Sequence, residues 1–295
     1  MRFFIIIIIL LFLTYIAITV YSSIEARMLC ISHVFLRRSK SKKNDLSVIK
    51  KQKDAFEKNF DPATVKDSKN TKFLFFSDLH AEYCFIPVEK VIDTIKKANV
   101  DAVIFGGDIC NDPLTYKKGI TYLNAVKRTC DELNIPFLGV NGNHDIYLSE
   151  EQMKEALFTD LRKTTVIVKD VLISGVNDTG KFNRIWDDNP VKDTNGMTHL
   201  LVSHNPDWLI EAAERKQLDN IDHMISGHIH GGQFCFPFRI EINAIRKDKL
   251  PRRKVIDGVF DGGGITFFIS RGLGCVLIPF RFLAKPEISV IEIEK

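Results

Sequence analysis

The chain has 295 residues, 45% of them apolar and 26% charged, a composition that builds an ordinary globular core and excludes a largely disordered protein. Its formal charge of +4 is unevenly placed, with 13 Lys/Arg against 6 Asp/Glu in residues 1–70 and 28 against 31 in the remainder. A nucleic-acid-binding domain is normally basic on its own account, so the slightly acidic remainder argues against a nucleic-acid partner.

The first element is "FFIIIIILLFLTYIAITVY", Phe3 to Tyr21, which carries no charge. At about 1.5 Å rise per helical residue it is nearly long enough to cross a hydrocarbon core of about 30 Å, so residues 1–21 are expected to be a transmembrane anchor. The competing reading, a cleaved signal peptide, normally has an apolar core of only about 7–15 residues and a small-residue cleavage site. Arg2 on one side faces Arg27, Arg37, Arg38, Lys40, Lys42 and Lys43 on the other. Membrane segments keep their basic flank in the cytoplasm, so a single-pass protein with a cytoplasmic catalytic domain is expected. Residues 22–70 read as a basic polar linker with one weak helix, in which "RRSKSKK" is either solvated or in contact with anionic headgroups.

From Thr71 to the C-terminus short apolar runs alternate with helical-looking segments, the pattern of an α/β domain spanning 71–295. Five runs end in polar clusters. "KFLFF" leads to Asp78 and His80, "DAVIF" to Asp108, and "IPFLGV" to Asn143, His144 and Asp145; "THLLV" leads to His204, and "IDHMI" to His228 and His230. In alternating β/α chains the carboxyl ends of the strands gather at one edge of the sheet, so residues distant in sequence meet there. Singly, each has a plain structural alternative: an aspartate can cap a helix, an asparagine can sit in a turn, and a histidine can be a satisfied core residue. The coincidence at five strand ends favours a site. The six cysteines show no CxxC pair or regular spacing and read as core residues or free thiols.

Carboxylates, four imidazoles and a carboxamide are too many ligands for one tetrahedral ion, and the mixed oxygen and nitrogen set suits two divalent ions of manganese, zinc or iron. A pair of such ions about 3.5–4 Å apart can hold a bridging hydroxide and clamp both oxygens of an in-line displacement at phosphorus. The order D-x-H, G-D, G-N-H-D, H, G-H-x-H resembles the calcineurin-like metallophosphoesterases. "SHNPD", "SGHIHGGQ", "SRGLG" and "PFRFLAKPEI" are further similar to the membrane-associated phosphodiesterase branch, which includes bacterial enzymes that cleave UDP-diacylglucosamine.

The resemblance implies a four-layer αββα sandwich. It also implies one metal on Asp78, His80 and His230, a second on Asn143, His204 and His228, and Asp108 between them. His144 would contact the phosphoryl group and assist the leaving oxygen. Relatives that read G-D-x-x-D orient that histidine with the second aspartate; here "GDICND" places Asn111 at that spacing and Asp112 one residue on, so either could orient His144. Asp145 reads as a structural acceptor. Glycines 231, 232 and 262–264, with Gln233, could admit substrate or form a plain hairpin turn, and "FCFPFRIEINAIRKDKLPRRK" could face lipid or form a basic hairpin. The expected activity is hydrolysis of a phosphodiester or pyrophosphate, including a lipid-linked one. Soluble nucleotides are the alternative substrate, and an inactive scaffold on the same fold is the alternative class.

Overall fold

The computed structural model describes residues 2–64, 69–178, 188–236, 239–240, 242 and 246–294. Its strands in chain order are β1 (Cys30–Leu36), β2 (Lys50–Lys51), β3 (Phe56–Lys58), β4 (Thr71–Phe76), β5 (Ala102–Phe105), β6 (Phe137–Gly139) and β7 (Thr159–Asp160), followed by β8 (Val166–Val168), β9 (Val171–Val176), β10 (Thr198–Ser203), β11 (His223–Ser226), β12 (Gly258–Gly262), β13 (Ile265–Ile269) and β14 (Glu287–Ile293). They form two seven-stranded sheets, ordered β3-β1-β14-β4-β5-β6-β7 and β2-β12-β13-β11-β10-β9-β8. The helices are α1 (Arg2–Glu25), α2 (Val88–Ala98), α3 (Tyr116–Glu132), α4 (Glu150–Lys154), α5 (Trp208–Glu214) and α6 (Lys249–Arg252).

The period-two alternation of strand side chains sorts the core into layers. Phe73, Phe75 and Ile104 of the first sheet meet Leu200, Val202, Ile225 and Phe268 of the second between the sheets. Their strand neighbours Leu74, Phe76, Val103 and Phe105 face outward under α2 and α3, which contribute Val91, Ile95, Leu123 and Val126. On the other side Leu201, Met224 and Phe267 pack under Trp208 and Leu209 of α5. The result is the expected αββα sandwich. Strands covered on both faces favour apolar residues on both, which is why β5 and residues 73–76 of β4 read as unbroken apolar runs.

β4, β5 and β6 are mutually parallel, as are β9, β10, β11 and β13. The carboxyl ends of both sets lie at one edge of the sandwich, and the loops leaving them carry the candidate residues. Helix α2 shows how such a unit closes. Val91, Ile95 and Ala98 bury one stripe, and Asn99 at φ 48 ends the helix in a left-handed cap.

The described residues between 22 and 70 do not form a linker. Helix α1 runs on to Glu25, and β1 inserts parallel to β14, with the Ser32 and Ser289 hydroxyls 2.9 Å apart and His33 Nε2 3.0 Å from Glu292 Oε1. β3 extends the same sheet from β1, and β2 pairs with β12 of the other sheet. The polar side chains of β1 mask it in sequence because their partners lie about 260 residues away. "RRSKSKK" is likewise part of the fold: Arg37 pairs with Glu294 at 2.7 Å, and Lys43 Nζ donates to the carbonyls of Leu218 and Ile221. Glycines 262–264 form the hairpin between β12 and β13, at the edge away from the candidate site. The stretch from Phe234 to Lys254 lies partly outside the described residues; within them it holds α6 and no hairpin. All six cysteines are free.

Candidate metal centre

Each sequence-predicted ligand lies in a loop at the same edge. The ligand atoms of Asp78, His80 and His230 lie within 4.8 Å of one another, and so do those of Asp78, Asp108 and His204. Asp108 joins the two halves: its Oδ2 is 3.4 Å from His80 Nε2 and 3.3 Å from His204 Nε2. His230 Nε2 is 3.3 Å from Asp78 Oδ1, and the His204 and His228 rings lie edge to face with centroids 5.2 Å apart. His80, Asp108 and His144 form a further close set.

The backbone is bent to achieve this convergence. Asp78, His80, Asp108, His228 and His230 all adopt positive φ, between 37° and 68°. A non-glycine residue in that region costs on the order of 1–3 kcal/mol and persists only where its surroundings over-determine it. Here the surroundings do. The Asp78 amide donates to Gly107 O, the His80 amide to Asp108 O, and the His228 amide to both Asp78 carboxylate oxygens. Gly142 allows a close approach, since a Cβ there would fall 2.1 Å from Asp108 Oδ1.

The donor set fits cations. Both ring nitrogens of His80, the Nε2 of His204 and the Oδ1 of Asn143 are buried without a hydrogen-bond partner, an arrangement a protein seldom tolerates unless the lone pairs are used. The Nδ1 of His204 lies 2.7 Å from Gly106 O; a proton there leaves Nε2 free to ligate. Burial, helped by nearby His144, pushes the His80 imidazole down to about 4, and burial with His80 and Arg281 holds His230 well below its ordinary value, so both present neutral rings. His204 differs. Burial opposes its charge, but the Asp108 carboxylate, with Asp78 and Asp178, overcomes burial and pushes it up to about 10. That negative potential attracts a proton, and it attracts a metal cation for the same reason.

The other candidates have definite positions. Asp145 accepts the amides of Asp108, Ile109 and Gly142, each at 2.8 Å, and so ties the β5 loop to the β6 loop. The His144 amide donates to Asp108 Oδ1 at 2.8 Å. Neither Asn111 nor Asp112 bonds the His144 ring. Glu82 instead accepts both of their amides; the Asn111 side chain also turns to Glu82 and Cys275 O, and Asp112 Oδ1 caps the Leu114 amide. An orienting role for either is therefore corrected: the loop is held by a carboxylate from the β4 side.

Sequence reasoning passed over Asp178, which lies with His204 and His228 in one group of ligand atoms. The signal was present, because "VLISGV" is a sixth apolar run that ends in "ND".

The profile of the calcineurin-like phosphoesterases matches residues 71–232, more than half of the chain. The chain belongs to this family. An uncharacterized metallophosphoesterase of Bacillus subtilis, YkuE, is 30% identical over 239 residues, covering 76% of this chain and 79% of that protein. The phosphodiesterase YaeI of Escherichia coli is 27% identical over 235 residues, covering 75% and 82%. Among solved structures, a dimetal phosphatase from Danio rerio aligns with TM-score 0.42 and 12% identity, over 69% of this chain and 88% of that one. This calcineurin-like phosphoesterase is a metal-dependent hydrolase of phosphoric esters, with clustered Asp and His ligands of the kind that hold the family's dimetal centre.

Proposed function

We propose that this calcineurin-like phosphoesterase is a membrane-anchored, single-pass enzyme that hydrolyses a phosphodiester or pyrophosphate bond of a lipid-linked substrate on the cytoplasmic side. The observation that carries the chemistry is Asp108 Oδ2 standing between His80 and His204, each with unpartnered ring nitrogen. Asp78, His80 and His230 would hold one divalent cation, Asn143, His204 and His228 the other, with Asp108 shared and Asp178 adding negative charge to the second position. Two cations there would supply Lewis acidity to the phosphoryl oxygens and lower the pKa of water.

The chain's own residues do the rest. His144 borders the centre through the His80–Asp108 set, with its amide bonded to Asp108, and its ring would hand a proton to the departing oxygen. Membrane attachment is supported by α1, which is long and apolar enough to cross a bilayer and has none of its apolar window buried against the domain. Basic residues following α1 support the cytoplasmic orientation.

The test compares rates of the full chain, loaded in turn with manganese, zinc and iron, on a detergent-dispersed sugar-nucleotide lipid and on soluble nucleotide diesters. Faster turnover of the lipid is expected. Equal or faster turnover of the soluble diesters would assign the enzyme to soluble nucleotides, and no hydrolysis of either would overturn the substrate class.

A further inference from the structure

Strand direction fixes where α1 leaves the domain. β1 is parallel to β14, and β14 is antiparallel to β4, so β1 begins at the edge where β4 ends. In register, Cys30 lies opposite Glu287, two residues from the Ser289–Phe75 pair, and is therefore level with Ser77 beside the ligand Asp78. With strands about 4.8 Å apart, only two spacings, about 10 Å, separate the start of β1 from the end of β4. Helix α1 thus joins the molecule at the catalytic edge.

The junction is built, not incidental. The Arg281 amide donates to Ser22 O at 3.1 Å, the Leu283 amide to Glu25 Oε2 at 2.5 Å, and the Tyr21 and Phe282 rings meet edge to face at 5.7 Å. Ser22, Glu25 and Ala26 are buried. On the other side, the Arg27 guanidinium lies 4.0 Å over the Phe85 ring, in the loop that follows His80. The segment docked against α1 also reaches the metal centre. Gln233, three residues after His230, donates to the carbonyls of Val276 and Ile278 and accepts the Val276 amide at 2.8 Å.

What this segment presents outward is apolar. Leu277 is 73% exposed, Ile278 46% and Leu283 57%. Phe3 to Tyr21 as helix spans about 28 Å, close to a hydrocarbon core of about 30 Å, so the bilayer boundary falls at Tyr21 and Ser22, level with Phe282 and Arg281. Tyrosine is at home at that boundary.

We propose that the catalytic edge lies against the bilayer, with Leu277, Ile278 and Leu283 entering the headgroup boundary, so that a phosphoester carried on a lipid reaches the metal centre without leaving the membrane. The proposal rests on reading α1 as a membrane span, and the occupant of the apolar rim is the lipid surface itself. Its continuity with α1 singles out that occupant: a rim locked to the end of a spanning helix cannot stay far from the membrane.

The full chain, reconstituted into vesicles of phosphatidylcholine and phosphatidylglycerol, provides the test. Leu277→Trp is compared with Leu133→Trp, a half-exposed position at the end of α3 on the opposite edge. Acyl-brominated lipids should lower the emission added by Leu277→Trp at least about twofold, as for a ring roughly 5–10 Å into the boundary, and leave that of Leu133→Trp unchanged. Leu283→Trp should repeat the result at a second position. Quenching at 277 and 283 no greater than at 133, in protein that floats with the vesicles, would overturn the proposal and leave the anchor intact. Failure to float would overturn the anchor reading and this proposal with it.

Discussion

At the scale of single residues the centre depends on shared charge. Asp108 is buried between His80 and His204, which with His144 hold its carboxyl well below the ordinary value in spite of burial. Asp108→Ala should empty both positions together, and metal analysis should find fewer than one ion per chain alongside loss of turnover. Two retained ions and near-normal turnover would show that the carboxylate is not shared. Asp178→Asn should act more narrowly, weakening one of the two ions by about 10–100-fold, the range seen when a charge supporting a ligand is removed. A metal titration resolving two affinities checks this; two unchanged affinities would remove Asp178 from the centre. His144→Asn should keep both ions and lower kcat and kcat/KM together by about 10²–10⁴-fold, with the loss shrinking for esters whose alcohol departs readily. Equal losses across esters of graded leaving-group pKa would leave His144 a positioning role only.

At the scale of elements, helices set the loops that carry these residues. α3 contains Gly119, where a Cβ would fall 2.3 Å from Ile109 Cγ2 and 2.8 Å from Ile109 O, so the helix presses directly on the residue after Asp108. Gly119→Ala sets two effects against each other. Helix propensity favours alanine by about 1 kcal/mol. Overpacking against a β-branched methyl and a backbone carbonyl costs about 1–3 kcal/mol, and the only relief is to move the Asp108 loop. Net destabilisation with reduced metal affinity is expected; a rise in stability with unchanged affinity would show that the loop yields freely.

At the scale of the whole molecule, the sandwich buries histidines that serve no centre. His223 in β11 has neither ring nitrogen partnered, and burial pushes it down to about 4 from an unfolded value near 6.5. Below pH 6.5 the unfolded chain takes up a proton that the folded chain refuses, so stability is full above 6.5 and declines as pH falls towards 4. A shift of that size corresponds to about 3 kcal/mol. His223→Leu should therefore flatten the denaturant midpoint between pH 6.5 and 4 relative to the wild type, and parallel acid limbs would show that the folded chain does not hold His223 neutral.

The apolar runs ending in Asp, Asn and His were legible in sequence because a strand buried on both faces is rich in apolar residues, and the polar residues begin where the strand gives way to the loop at its carboxyl end. The membrane-length helix was legible for the same reason, since its unbroken apolarity needs no partner to explain it. Asp178 had the same signature and could have been read with the others. Glu82 could not, because its role depends on the amides of Asn111 and Asp112 arriving from another strand. β1 was equally hidden: its serine and histidine become strand residues only beside Ser289 and Glu292. The sequence alone thus determined which Asp, Asn and His side chains follow the apolar runs, and the apolar helix, both written in residues that act over a short stretch of chain. Which edge of the sandwich that helix leaves from was decided only by tertiary structure, because strand direction is set by pairing between β1 and β14, segments from opposite ends of the chain.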